Sequence, residues 1–227
     1  MSVDYYVILD FEATCKEDNL ISPQEIIEFP CVLLNARTLL IEDKFHSFVK
    51  PHFNPTLTDF CVSLTGIQQP QIDSAKSFSY VLMEHKLWMM QHNLLPLGYP
   101  TSKRFMYVTF GDWDLLSILP NQCDQIGISV PKYLRRWINL KQLVVSYMGV
   151  PKRASCVEIS KKYMGLNWVG HNHSGKDDAQ NIAGMLVTFI TYGFPVHVTS
   201  TLTYQGRKRW RRIQGMWVFK NNKKTKI

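Results

Sequence analysis

Cysteine is scarce and poorly placed for cross-linking: Cys15, Cys31, Cys61, Cys123 and Cys156 are odd in number, far apart and without a C-x-x-C pair. Neither a disulfide framework nor a zinc knuckle fits that spacing, so the expected setting is a reducing, intracellular one, cytoplasmic or nuclear. No apolar run approaches the ~20 residues of a membrane helix, and the N-terminus enters a strand-like pattern without a basic leader or a small-residue cleavage site. A soluble, unexported protein with no membrane attachment is expected. Internal repeats and low-complexity segments are also missing from the body, and 45% apolar against 19% charged residues excludes a wholly disordered or collagen-like chain. The length of 227 residues suits one catalytic-sized domain with a small appendage.

Acidic residues are missing from one end. None follows Asp178, whereas residues 203–227 hold nine of the 26 Lys and Arg: Arg207, Lys208, Arg209, Arg211, Arg212, Lys220, Lys223, Lys224 and Lys226. The formal charge of +8 therefore belongs to the tail, because residues 1–202 carry 17 basic against 18 acidic side chains. Trp210, Trp217 and Phe219 interleave with these cations, a composition suited to neutralising a phosphate backbone and stacking on bases. A solvated tail or a nuclear-import signal is the alternative.

What is present along the body is a strand-first, helix-later pattern. Val3 to Leu9 is an aromatic and β-branched run ending at Asp10, and predicts a buried strand. Glu25 to Leu34 and Ile41 to Val49 predict two more, separated by the polar connector Asn35, Ala36 and Arg37 as in a hairpin or meander beside the first strand. Asp73 to Gln91 predicts a helix and Arg104 to Phe110 a fourth strand. Further helices are expected at Asp112 to Ile126, Leu140 to Met148, Ser155 to Met164 and Asp177 to Thr191, with breaks at Pro131, Pro151 and Gly170. Helices over a mixed sheet give an α/β layered domain.

Three acidic loci sit at the ends of these elements. Asp10 and Glu12 bracket Phe11, and side-chain alternation sends both carboxylates to one face, where a divalent cation such as Mg²⁺ or Mn²⁺ would relieve their repulsion. A solvated strand end is the bland alternative. Asp112 is placed to cap the helix after the fourth strand, and Asp114, inside the first turn, is the better ligand candidate. In His171, Asn172, His173, Ser174, Gly175, Lys176, Asp177, Asp178, the first acid can cap the helix or favour its positive end and the second can turn inward. Gly175 is expected to give the loop the freedom to bring a histidine over the site. His171 and His173 could instead ligate a metal, but no third soft ligand lies at zinc spacing.

Together, Asp10, Glu12, Asp114, His173 and Asp178 resemble the acidic quartet plus histidine of the DEDDh exonucleases, and in particular the Eri-type (enhanced RNA interference) 3′-exoribonucleases. The likeness rests on LDFEATC at Leu9 to Cys15, PQEIIEFP at Pro23 to Pro30, FCVSLTGI at Phe60 to Ile67, GDWDL at Gly111 to Leu115, WINL at Trp137 to Leu140 and H-x-G-x-D-D at His173 to Asp178, then Asn181, Ile182, Ala183. It covers about residues 3–193. Where the family commonly has R-P-H, this chain has Gly170, His171, Asn172, His173. The tail lies outside the likeness.

The resemblance implies an RNase H-like fold, a mixed five-stranded sheet flanked by helices, with an exonuclease domain over residues 1–195 and a basic extension over 196–227. It implies metal ligation by Asp10, Glu12, Asp114 and Asp178, with two Mg²⁺ or Mn²⁺ ions roughly 3.5–4 Å apart at the scissile phosphate. His173 would be the general base, its ordinary pKa of ~6.5 suiting it near neutral pH, with Glu12 bridging the metals. A pocket for the terminal nucleotide is expected from Glu12, Ala13, Thr14, Leu64, Gly66, Ile67 and His173. Gly66 could equally be a helix C-cap, and Trp113 could stack or fill core. Glu25 and Glu28 are expected to make structural hydrogen bonds. The implied activity is 3′→5′ hydrolysis of RNA, or of DNA with a single-stranded 3′ end, to nucleoside 5′-monophosphates. A catalytically silent nucleic-acid-binding or scaffold protein on the same fold is the competing function.

Overall fold

The computed structural model describes residues 3–17, 21–96 and 103–203, together with the backbone of two strands, Trp210–Ile213 and Met216–Phe219, which pair antiparallel. Strand β1 (Tyr5–Leu9) is apolar throughout because both its faces are covered. Period-two alternation sends Tyr5, Val7 and Leu9 into one core and Tyr6 and Ile8 into another.

The chain continues through β2 (Glu12–Ala13), the long hairpin β3 (Ile26–Asn35) and β4 (Ile41–Lys50), helices α1 (Asp59–Thr65) and α2 (Gln69–Asp73), strand β5 (Lys76–Ser77), α3 (Phe78–Gln91) and β6 (Phe105–Thr109). A wide turn of π-helix (Trp113–Ile118) leads into α4 (Leu119–Gln125), followed by β7 (Arg136–Asn139), α5 (Leu140–Met148), α6 (Cys156–Glu158), which runs on into a second π-helical stretch (Ile159–Tyr163), α7 (Gly175–Thr191) and β8 (Ser200–Thr201). The sheet order is β5-β4-β3-β1-β6-β7-β8, with β2 paired to β3. Its five longer strands, β4-β3-β1-β6-β7, are the expected mixed sheet, antiparallel at β4/β3 and β3/β1 and parallel at β1/β6 and β6/β7. Two-residue strands extend it to eight. Helices α3 and α4 cover the face with Val7 and Leu9, and α5 and α7 cover the face with Ile8.

Most expected elements are present with small shifts, and α5 has the expected bounds. The helix expected from Asp73 begins instead at Phe78, because Lys76 and Ser77 are extended and pair with Val49 and Lys50. The boundary expected at residue 195 falls short of the packed body. Val196 packs on the second core, Ser200 pairs with Trp137, and Leu202 is buried while its N–H bonds the Arg135 carbonyl, so the body runs through Leu202. Arg207, Lys208 and Arg209 lie outside the described residues, as do the side chains of Arg211 and Arg212. Among the described residues no helix is long and apolar enough to cross a membrane.

Asp112 corrects a second expectation. It holds the N-cap position of the wide turn but makes no side-chain cap. Its Oδ1 accepts instead from Trp137 Nε1 (2.9 Å) and Ser200 Oγ (2.7 Å), joining the end of β6 to β7 and β8. Trp137 is fully buried, so losing the acceptor would strand its N–H. Asp112→Ala should lower unfolding stability by about 2 kcal/mol, and Asp112→Asn, which keeps the acceptor, by about 1 kcal/mol or less. Urea denaturation of both variants measures this.

Candidate active site

Beyond β1, Asp10 and Glu12 face one cavity while Phe11 between them turns into the core, edge-on to Phe29 with ring centroids 4.7 Å apart. Alternation thus persists past the last strand residue. Asp114 sits in the first turn of the wide helix, buried, and its Oδ1 accepts the Phe11 N–H at 2.8 Å, fixing it to the segment between the first two acids. Asp178 reaches the cavity from the first turn of α7, on the buried face that also carries Ile182, Met185 and Phe189. Its Oδ2 accepts the His173 N–H at 2.9 Å, and its Oδ1 is buried with no hydrogen-bond partner.

His173 has φ +67, in the left-handed region that a side chain rarely adopts. One ligand atom each from Glu12, His173 and Asp178 lies within 4.8 Å of the others. All five residues of the sequence constellation line the same cavity of about 590 Å³. Asp177 neither caps α7 nor faces the cavity: its Oδ2 accepts the His171 N–H at 3.0 Å. Gly175 is not the loose joint expected, since it is already the first residue of α7. The left-handed loop positions are Gly170 and His173.

Crowding shows in the proton affinities. Desolvation, then Asp114 and Glu12, hold the Asp10 carboxyl well above its usual range. Desolvation with Glu28 and Asp178 pushes Glu12 up to about 10. Asp114 and Asp178 are each raised to about 7, mainly by burial. Desolvation and neighbouring His171 lower His173, favouring the neutral imidazole.

Of the residues expected to hold a terminal nucleotide, Glu12, Ala13, Leu64 and His173 line the cavity. Thr14, Gly66 and Ile67 do not. Thr14 is buried, with its hydroxyl accepting the Glu25 N–H; Gly66 is the left-handed C-cap of α1; Ile67 packs in a third small core. Trp113 lines the cavity and is 40% exposed, which removes core filling as its role. Glu25 is structural, its carboxylate taking the N–H groups of His52, Phe53 and Asn54. Sequence reasoning missed Ser155, Cys156 and Val157, which form one wall from the start of α6. Their residue types carry no signal, and only the chain fold brings them here.

The donors suit a hard divalent cation: four carboxylates, each raised by burial or by its neighbours, and one buried oxygen left without a partner. Residues 7–186 match the exonuclease family RNase_T. The nuclease domain of 3′hExo, described as a DEDDh family member bound to rAMP, superposes with a TM-score of 0.82 at 38% identity, over 88% of this chain and 98% of that one. The chain belongs to the DEDDh exonuclease family. A structure of a 3′-exonuclease in 3′-end specific recognition of a histone mRNA stem-loop gives TM-score 0.82 and 33% identity, over 98% of this chain and 92% of that one. Human ERI1 exoribonuclease 3 is 43% identical over 196 residues, 86% of this chain and 56% of the relative. The chain thus spans about half the length of the curated relatives it matches. Membership in the DEDDh family, whose fold implies divalent-metal use, agrees with the donor set.

The raised carboxylates set a pH dependence. Above about pH 4 the metal-free folded DEDDh domain keeps protons that the unfolded chain has released. That stabilisation is complete below this pH and is lost as pH rises through about 7 for Asp114 and Asp178 and toward about 10 for Glu12. A divalent cation takes the protons' place, so its stabilising effect grows as they leave. The gap in thermal midpoint between Mg²⁺ and EDTA samples should therefore widen from about pH 6 to about pH 9. A gap constant over that range would contradict the crowding.

Proposed function

We propose that the protein is a divalent-metal-dependent 3′→5′ exonuclease acting on RNA, with single-stranded 3′ ends of DNA as a second substrate class, and releasing nucleoside 5′-monophosphates. The observation that carries this reading is the gathering of Asp10, Glu12, Asp114, Asp178 and His173 around one cavity, with one buried Asp178 oxygen left without a hydrogen-bond partner. RNA recognition by the histone mRNA stem-loop relative supports the substrate class.

Asp10, Glu12, Asp114 and Asp178 would hold two Mg²⁺ or Mn²⁺ ions. When bound, such ions supply Lewis-acid activation of the phosphate and of water, and neutralise the charge that develops on the leaving 3′-oxygen. His173 accepts the proton of the attacking water on a ring nitrogen as the bond from phosphorus to the 3′-oxygen breaks. Its lowered pKa keeps that nitrogen free at neutral pH. The bond from Asp178 to the His173 backbone holds the base over the acids. Trp113 and Leu64, on the cavity wall, offer apolar surface to the terminal base. The basic residues after Thr203 would neutralise upstream phosphates of longer RNA.

End-labelled RNA with Mg²⁺, Mn²⁺ or EDTA tests the activity. Asp10→Ala should abolish cleavage while the EDTA-treated protein stays folded, and robust Mg²⁺-dependent cleavage by that variant would refute the ligand assignment. His173→Ala should lower the rate by about 10²–10⁴ and lose the acid limb of the pH–rate profile, which in the parent should lie below about pH 6.5. His171→Ala should do far less. Truncation after Thr203 should leave cleavage of short substrates at saturation intact, weaken binding of long RNA, and flatten its log–log salt dependence by about 0.7 for each phosphate no longer neutralised. Unchanged affinity and slope would exclude the tail from RNA binding.

A further inference from the structure

Helix α7 begins without a cap of its own. Ser174 holds the N-cap position with extended backbone, yet its side chain makes no capping bond. The first N–H groups of a helix have no intrahelical partner, and a buried helix start that leaves them unmet is costly. They are met here from the sheet: Glu28 of β3 accepts the Gly175 N–H at Oε2 (2.9 Å) and, at longer range, the Lys176 N–H at Oε1 (3.4 Å). These partners are 147 and 148 residues apart in sequence, so the bond is a tie between elements and not a local turn.

The surroundings make the tie specific. Glu28 is 2% exposed, and its Oε1 meets Nε2 of His46 on β4 at 2.7 Å. A Cβ built on Gly175 would stand 2.7 Å from the Asp10 carbonyl oxygen and 3.0 Å from Glu28 Oε2, so only glycine lets the helix start come this close to both. In the β2–β3 register Glu28 stands opposite Glu12. One side chain thus joins the strand pair that carries Glu12 to the helix that carries Asp178, three residues beyond Gly175. Glu28 is no fifth ligand: both its oxygens already have nitrogen partners, and it does not line the cavity.

We propose that Glu28 is a positioning residue for the metal site, a helix cap supplied across the sheet that sets Asp178 and the His173 loop against Glu12 and is itself steadied by His46. The assignment rests on the exonuclease reading and deepens it. Glu28 acts through the orientation of two other residues and touches neither substrate nor reacting atoms.

The test is Mn²⁺ binding to the full chain without RNA, followed by electron paramagnetic resonance, beside the Mg²⁺ dependence of kcat and KM on a short RNA. Partners that orient ligands typically account for about 10–100-fold in metal affinity or activity. Glu28→Ala should weaken Mn²⁺ binding and raise the Mg²⁺ half-saturation by about that factor, with KM for RNA changed by less than about twofold. Glu28→Gln keeps an accepting oxygen for Gly175 and should recover most of both. A Glu28→Ala protein with a lower thermal midpoint but the parent's Mn²⁺ affinity would show a buttress only and overturn the proposal. Should that variant fail to fold, His46→Ala, which leaves the core volume alone, decides: weaker Mn²⁺ binding supports the proposal and unchanged binding overturns it. A parent protein that binds Mn²⁺ yet leaves RNA intact would overturn the exonuclease reading, while the Mn²⁺ arm still decides the role of Glu28.

Discussion

Four carboxylates share one cavity, and the desolvation that raises all their pKa values, joined by repulsion from nearby acids, is what the surrounding donors and close approaches answer. In such a place an acid either keeps a proton or finds a cation. The protein does not leave the acids' positions to the cation. Backbone N–H groups hold two of them, so Asp114 ties the wide turn to the strand end through Phe11, and Asp178 ties the start of α7 to the loop at His173. Pre-set ligands lower the reorganisation needed when a charge arrives, at the cost of a folded state that carries its repulsion permanently.

Neighbouring acids divide between two tasks. In each of the pairs Asp112/Asp114 and Asp177/Asp178 one carboxylate faces the cavity and the other ties scaffold, Asp112 to β7 and β8, Asp177 to the loop at His171. The outer acids do ordinary hydrogen-bonding work without lining the cavity, yet their charge still raises the proton affinity of the inner acids beside them. Loss of either member of a pair would damage function, but the outer member through stability and the inner one through charge.

Much of this was legible in the chain. Tyr5–Leu9 announces itself by unbroken apolarity, α5 by its periodicity, and the placement of Asp10 and Glu12 on one side of Phe11 by simple alternation. Choosing Asp114 over Asp112 needed the family resemblance, because the reason lies in an acceptor shared between Trp137 and Ser200, 25 and 88 residues away. Strands of two residues, such as β5 and β8, are too short for any period to register. Gly175 shows the limit most clearly: a glycine before two acids looks like a hinge, whereas the fold uses its missing side chain to let a helix touch a strand. Long-range close approach leaves no local trace.

The π-helical turn at Trp113–Ile118 also bears on how such a site can vary. There the Leu119 N–H reaches back to the Asp114 carbonyl, one residue further than in an α-helix. The turn therefore holds a surplus residue, and each residue of an α-helix is worth about 100° of rotation. Downstream, Leu119 and Cys123 are locked into the core. Deleting one residue from the turn would leave that core in register and tighten the turn to ordinary α-helix, so the rotation would fall on Asp114 and swing its carboxylate off the Phe11 N–H. The length of this segment is therefore as much a part of the acidic cluster as the residues it carries.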